Sequence, residues 1–273
     1  MLGIIIGVGS VITMLAIGQG SKKSIQTQIS DMGSNMIMIQ PGAGMMGGVR
    51  QSSSDMQSLK LEDYFSLRDK TSYIAAVSPS VSSGGQFIYA GSNYPASISG
   101  VTPEYLDIRK LTVDQGNVFS RQQVASAAKV CLVGKTIIKN LFPNGENPVG
   151  KVIRFNKIPF TIIGTLKEKG YNTMGMDQDN IVLAPYTTVQ KRVLAITYIQ
   201  GLFTSALSED VTDKASDEIE TILRTNHKLK ASDPDDFNVR SQKELSTMLT
   251  STTDILTILL ACIAGISLLV GGI

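Results

Sequence analysis

Residues 1–18 (MLGIIIGVGSVITMLAIG) and 255–273 (ILTILLACIAGISLLVGGI) carry no charged side chain. Each run approaches the ~20 apolar residues that an α-helix needs to cross a ~30 Å hydrocarbon core. The charged residues all lie between them. The chain therefore reads as a segment of a longer membrane protein, with an extramembrane portion of roughly 235 residues held between two helix ends. That portion is large enough for one big domain or two subdomains. Whatever it does, it does beside a membrane.

Composition removes several function classes. A net charge of +2 is too small for a nucleic-acid footprint, and no nucleic-acid-binding signature is present. With no Trp and 6% aromatic residues, the chain lacks a stacking platform for sugars or bases. Cys131 lies in the apolar stretch AKVCLVG and Cys262 in the C-terminal run, so they are not expected to pair. Ala16-Ile17-Gly18 is small enough for a leader cleavage site. However, no basic segment precedes the run, and a secreted protein would have no use for the second one. Lys22 and Lys23 follow the first run, which would favour the cytoplasmic side for them. The opposite flanks lie outside the chain, so charge leaves the orientation open.

Both terminal helices should project beyond the bilayer. Residues 21–32 contain no Pro or Gly, and Ile25, Ile29 and Met32 share one helical face. Ser241 and Glu244 form a capping-box pattern ahead of a second stripe, Leu245, Met248 and Leu249. A helix over residues 242–273 would be about 48 Å long, of which only ~30 Å fits the bilayer. The two stalk stripes are expected to pack together and act in coupling. Gly3 and Gly7 make a small-xxx-small pair suited to helix packing inside the membrane. Between the stalks, strands are expected at 35–40, 73–78, 86–90, 96–101, 130–133, 152–155, 160–166, 181–184, 198–206 and 237–240. Helices are expected at 61–70, 136–141, 187–193 and 212–226, with a short one after Thr102-Pro103. Residues 41–58 read as a mobile Gly/Met/Ser-rich loop. This order argues an α+β fold rather than a doubly wound parallel sheet.

No motif supplies a catalytic or metal centre. Gly134-Lys135-Thr136 looks like the end of a phosphate-binding loop, but the glycine that should stand five residues earlier is Lys129. It reads as a strand-to-helix turn. His227, the one histidine, falls at a helix C-terminus, where an uneventful role favouring the helix dipole is expected. Asp177-x-Asp179 and Asp233-Pro-Asp235-Asp236 could ligate Ca²⁺ but lack the EF-hand spacing and read as turns and caps. The methionines at 36, 38, 45, 46, 174 and 176 fit a strand and Gly-rich loops better than a soft-metal path. Catalytic, cofactor and metal residues on this chain are therefore expected to be none.

A family resemblance runs along the whole chain. Residues 2–20 (LGIIIGVGSVITMLAIGQG) closely resemble the first transmembrane helix of MacB-like ABC transporter permeases. Gly33-Ser34-Asn35, Gly100-Val101-Thr102-Pro103-Glu104-Tyr105, Asn147-Pro148-Val149-Gly150-Lys151, Pro159-Phe160-Thr161-Ile162-Ile163-Gly164 and Asp235-Asp236-Phe237 fit the same family. Residues 264–273 resemble the start of its second transmembrane helix. The basic residues usual before the first helix are missing.

The resemblance implies a bacterial inner-membrane, multi-pass protein with a large periplasmic domain. It implies a first transmembrane helix and stalk over 1–33 and a porter-like α/β-sandwich subdomain from 34–105 and 198–240. It further implies an inserted mainly-β subdomain over 106–197, and a stalk with the start of the second transmembrane helix over 241–273. The implied function is mechanical coupling of cytoplasmic ATP hydrolysis to export of periplasmic substrates, whether drug, peptide or lipid-like. ATP and Mg²⁺ would sit on a partner ABC ATPase, fused or separate, so this chain itself is not expected to be an enzyme. Implied partners are a second permease copy, a periplasmic adaptor, a TolC-like outer-membrane channel and membrane lipid. Lipoprotein-releasing and cell-division-type permeases of the same superfamily, or a membrane-anchored binding domain without transport, are the alternatives.

Overall fold

The computed structural model describes residues 35–42, 57–172 and 175–244, the backbone of 45–46 and 49–50, and scattered positions in the terminal segments (9, 12–14, 16–24, 33, 247–248, 255, 258–259, 262 and 265–266). The chain divides into two compact units: Asn35–Ser241, and Met1–Ser34 with Gln242–Ile273. In the second unit the described positions are helical, and Ile12, Ile17, Ile255, Ile258, Leu259 and Ile266 are exposed. Among the described residues no helix is long and apolar enough to cross a membrane. Most of both apolar runs lies outside those residues.

The unit Asn35–Ser241 is built on one mixed sheet. Its strands are β1 (Met36–Pro41), β4 (Ile74–Tyr89), β5 (Ser92–Val101), β6 (Val113–Gly116), β7 (Val130–Val133), β8 (Val152–Phe155), β9 (Ile158–Leu166), β10 (Val182–Pro185), β11 (Gly201–Ala206) and β12 (Phe237–Ser241). Two short strands, β2 (Met45–Met46) and β3 (Val49–Arg50), pair only with each other. The helices are α1 (Leu61–Lys70), α2 (Glu104–Ile108), α3 (Arg121–Ala125), α4 (Lys135–Leu141), α5 (Tyr186–Thr188) and α6 (Thr212–Asn226). A π-helical turn, Val189–Leu194, continues α5. The order across the sheet is β12-β1-β11-β4-β5-β10-β7-β9-β6, with β8 pairing both β4 and β9.

That last pairing closes a ring. β4, β5, β10, β7, β9 and β8 return to β4, so one half of the sheet curls into a six-stranded barrel. The other half, β4-β11-β1-β12, stays open. The long strand β4 serves both halves: its residues 74–80 pair with β11 and its residues 81–89 with β5. Phe87 lies opposite Phe155 where β8 closes the ring, with ring centroids 4.7 Å apart. Both are fully buried.

Helix α6 covers the open half in the way its sequence period demands. Ala215, Ile219 and Leu223 recur every four residues and are fully buried, while Ile222 is half-buried. Burying each of the larger two contributes about 1.5–3 kcal/mol before ordering costs.

Most expected elements are present within a residue or two, and three differ in kind. The strands expected at 73–78 and 86–90 are a single strand, β4. Residues 79–85 (PSVSSGG) read locally as a turn, but pairing with β11 and β5 on either side holds them extended. Gly85 is required there by close approach: a Cβ would meet Phe155 and Asn156 side-chain atoms at 2.5–2.7 Å. The helix expected at 187–193 is the three-residue α5 and its π-turn, ended by Ala195 in the left-handed region at φ 54°. The strand expected at 198–206 begins at Gly201, with Tyr198 in an isolated bridge to Lys60. The expectation of mobility for 41–58 falls mainly outside the described residues. The boundaries at 106 and 197 do not coincide with a break in the sheet, since β4 and β5 join strands of the 106–197 segment in the barrel.

Gly134 gives a direct test of the packing. It precedes α4, and a Cβ there would lie 2.1 Å from the Asp179 carbonyl oxygen. Gly134→Ala should destabilise the chain by about 1–3 kcal/mol in chemical denaturation, the cost of forcing a backbone shift in a packed site. Gly84→Ala, where nothing lies within 4 Å, should be neutral or slightly stabilising. Equal stabilities for the two variants would contradict the packing described.

Candidate functional site

The structure gathers polar groups at one place that the sequence did not signal. His227 is the C-cap of α6. Its Nδ1 lies 2.7 Å from Asp236 Oδ1 and its Nε2 lies 3.2 Å from Asp63 Oδ2. The histidine side chain is 9% exposed and that of Asp63 is 3% exposed. Asp63 also accepts the Lys60 N–H at the start of α1 (2.8 Å) and the Asn226 side-chain amide (3.0 Å). Phe237 packs edge-on to the imidazole at 5.7 Å. These hydrogen bonds pin the first turn of α1, the last turn of α6 and the approach to β12.

The electrostatics follow from this geometry. Hydrogen bonding to Asp63 raises the His227 pKa to about 9, burial opposes the rise, and Asp236 adds to it. Burial pushes Asp63 upward, but the bonds from His227, the Lys60 N–H and Asn226 outweigh it and hold the carboxyl below its usual range. The pair is therefore imidazolium and carboxylate at neutral pH. The expectation of an uneventful terminal histidine is corrected: its partners lie 164 and 9 residues away in sequence, so neighbouring positions alone could not reveal the clamp.

The clamp also gathers the ends of the 41–58 segment. The Asp236 carbonyl accepts the Gly42 N–H and the Ser58 hydroxyl, each at 2.8 Å. Beside it, Arg224 of α6 pairs with Asp235 and donates to the carbonyls of Lys230 (2.6 Å) and Asp233 (3.2 Å). Asp233, Asp235 and Asp236 are thereby engaged by protein donors, since Asp233 accepts the Lys230 N–H.

The other acidic motif is used in the same way. Asp179 accepts the N–H groups of Lys169 (2.9 Å) and Gly170 (2.8 Å), while Asp177 accepts the Thr136 hydroxyl (2.6 Å) and the Asp179 N–H (2.8 Å). Gly134-Lys135-Thr136 is the strand-to-helix turn between β7 and α4, braced by that pair. Cys131 is buried, which pushes its thiol pKa up, and Cys262 is exposed; both are free thiols. Among the described residues no group of His, Cys, Asp and Glu could hold a metal ion.

A second feature is a cleft of about 350 Å³ between α1 and the α2, α3 and α5 side of the barrel. Tyr64 and Tyr186 form its wall with ring centroids 6.2 Å apart, and Phe65 stands 42% exposed at its edge. Glu104 accepts two nitrogens of Arg121 on one carboxylate oxygen, at 2.8 and 3.0 Å.

The stalk residues Ile25, Ile29, Met32, Leu245 and Leu249, and the membrane-packing residues Gly3 and Gly7, lie outside the described residues. Met248 is described and exposed. Their roles remain expectations.

Residues 1–222 match the family described as the MacB-like periplasmic core domain. The chain belongs to that family. It is 38% identical over 275 residues to a macrolide export ATP-binding/permease protein MacB of Rhodospirillum rubrum, covering all of this chain and 41% of the relative. It is 32% identical over 326 residues to the MacB of Syntrophobacter fumaroxidans, covering all of this chain and 46% of the relative. The chain thus spans less than half the length of these relatives. The crystal structure of the periplasmic region of MacB from Actinobacillus actinomycetemcomitans is similar with a TM-score of 0.66 at 27% identity, covering 82% of this chain and 97% of that one. The extracellular domain of the transporter YknZ from Gram-positive bacteria shares the fold, with a TM-score of 0.61 at 18% identity over 76% of this chain and 100% of that one. The MacB-like family assignment and the α+β class expected from the sequence therefore agree with the fold.

The clamp predicts a specific pH dependence. A histidine whose pKa is raised on folding contributes stability that is fully present below its unfolded value of 6.5. That contribution is lost as pH rises through about 9. Between those limits the chain should lose roughly 3 kcal/mol of unfolding free energy that a His227→Gln variant does not lose. Superimposable pH profiles for the two proteins in denaturant titrations would rule the clamp out as a stabilising element.

Proposed function

We propose that this chain is the outer domain, with the adjoining parts of two membrane helices, of an inner-membrane ABC transporter permease. In this reading it relays ATP-driven motion from the cytoplasm to the periplasm and so drives export. The observation that carries the reading is the register of β1 with β12. Ile37 lies opposite Ser241, so the chain enters and leaves the outer unit on neighbouring strands. Hydrogen-bonded strands lie about 4.8 Å apart. Two stalks rooted at those points can act on the sheet together. The match to ATP-binding/permease relatives over the full length of this chain, apolar runs included, supports the same reading.

The remaining parts follow from that assignment. ATP and Mg²⁺ bind to a portion of the transporter outside this chain, consistent with the ATP-binding/permease names of relatives of which this chain covers less than half. A second permease copy completes the membrane portion. Macrolides, named for the relatives, are one export class to test, with peptide or lipid-like molecules as others. A periplasmic adaptor and an outer-membrane channel would carry the exported molecule onward. Residues 106–197, which complete the barrel together with β4 and β5, act as the mainly-β portion.

Coupling through the stalks has a direct test. The stripes Ile25/Ile29/Met32 and Leu245/Leu249 should pack against each other, with the exposed Met248 at their margin, each buried side chain contributing roughly 1.5–3 kcal/mol before ordering costs. In the assembled transporter, Ile29→Asp with Leu249→Asp should abolish export while ATP hydrolysis persists, uncoupled from transport. Export at the unsubstituted level, at equal membrane abundance, would refute the stalk lever.

A further inference from the structure

The cleft beside α1 has features that the transport reading does not use. Its walls are aromatic and aliphatic: Tyr64, Phe65, Val124 and Tyr186. Its volume lies within the range of about 300–1,000 Å³ typical of small-molecule sites. Its one carboxylate is Glu104, whose side chain is 25% exposed, and the partner of that carboxylate, Arg121, is 87% exposed. Beside Glu104, Thr102 also lines the cleft. At the rim, Arg68 lies over the rings of Phe65 (5.1 Å) and Tyr64 (5.7 Å) and pairs with the exposed Asp69.

The charges decide which ligand fits. An anion drawn to Arg121 would take that guanidinium from Glu104 and leave a partly buried carboxylate unpaired, which is costly. A cation drawn to Glu104 would instead replace Arg121, whose exposed side chain returns to water with little loss because surface ion pairs are weak. We infer that this cleft binds a small amphiphilic organic cation, its charged head on Glu104 in place of Arg121 and its apolar body against Tyr64, Phe65 and Tyr186. This inference is independent of what the assembled transporter exports.

The test uses the whole chain in lipid nanodiscs, with empty nanodiscs as the blank. Equilibrium dialysis measures retention of phenethylammonium, and of phenylacetate as an anion built on the same ring. The unsubstituted chain should retain the cation saturably and the anion not at all. Glu104→Gln should weaken cation binding by about tenfold, the scale of losing one charge-assisted contact. Arg121→Ala should tighten it by roughly threefold, because the competitor for Glu104 is gone. A purely structural Arg121 would not give that sign, and its exposure makes loss of folding on substitution an unsuitable explanation for any change. No saturable cation retention, an unchanged affinity in Glu104→Gln, an unchanged or weaker affinity in Arg121→Ala, or retention of phenylacetate would each overturn the inference.

Discussion

The antiparallel pairing of β1 with β12 is the constraint on which the rest of this structure depends. Five residue pairs join the first strand of the outer unit to its last, from Ile37↔Ser241 to Pro41↔Phe237. Everything between is a closed excursion that returns to its starting edge. Closing so long a loop costs entropy, although the cost grows only slowly with length. It is offset by the buried surface of Ile37, Ile39 and Phe237 and by the cover of α6. The barrel half of the sheet can then vary its loops and cleft without moving the two points where the chain leaves the unit.

β12 lies at one edge of the sheet, with β1 as its sole strand neighbour among the described residues. An edge strand is held by one ladder of hydrogen bonds and is easily displaced. The Asp63–His227–Asp236 clamp compensates. It ties the residue just ahead of β12 to α1 and α6, using charged hydrogen bonds that are stronger than neutral ones. A force applied at Ser241 therefore meets two helices as well as a strand. The Asp236 carbonyl also accepts from Gly42 and Ser58, so these two residues are tied to the same braced point.

The sequence conveyed local structure well and assembly poorly, for physical reasons. The bounds of α1, α6, β7 and β8 were legible because periodicity, capping and turn residues act over a few positions. The continuity of β4 was not: Pro79, Gly84 and Gly85 signal a turn, and only long-range pairing overrides them. Ring closure through β8 has no local signature either. At the clamp, His227 was visible as a helix-terminal residue, but Asp63, in the first turn of α1, carries no signal of its own. Nothing near either residue pointed to the other. The acidic pair Asp177 and Asp179, by contrast, behaves as the turn its spacing suggested. The end runs, and most of the stalk stripes, lie outside the described residues, and their role rests on the family and on the register of β1 with β12.

The central claim is that β1 and β12 move as one piece and carry the motion of both stalks. Met38 and Arg240 stand directly opposite each other in that pair, one half-buried and the other exposed. Opposed residues in an antiparallel ladder have Cα atoms about 4.5–5.5 Å apart, within reach of a disulfide. The most direct measurement is export by the assembled transporter carrying Met38→Cys and Arg240→Cys, oxidised and then reduced. The account predicts that the bridge forms and that export is the same in both states, because the strands never separate. Loss of export on oxidation, restored by reduction, would show that the two strands must part and would contradict it.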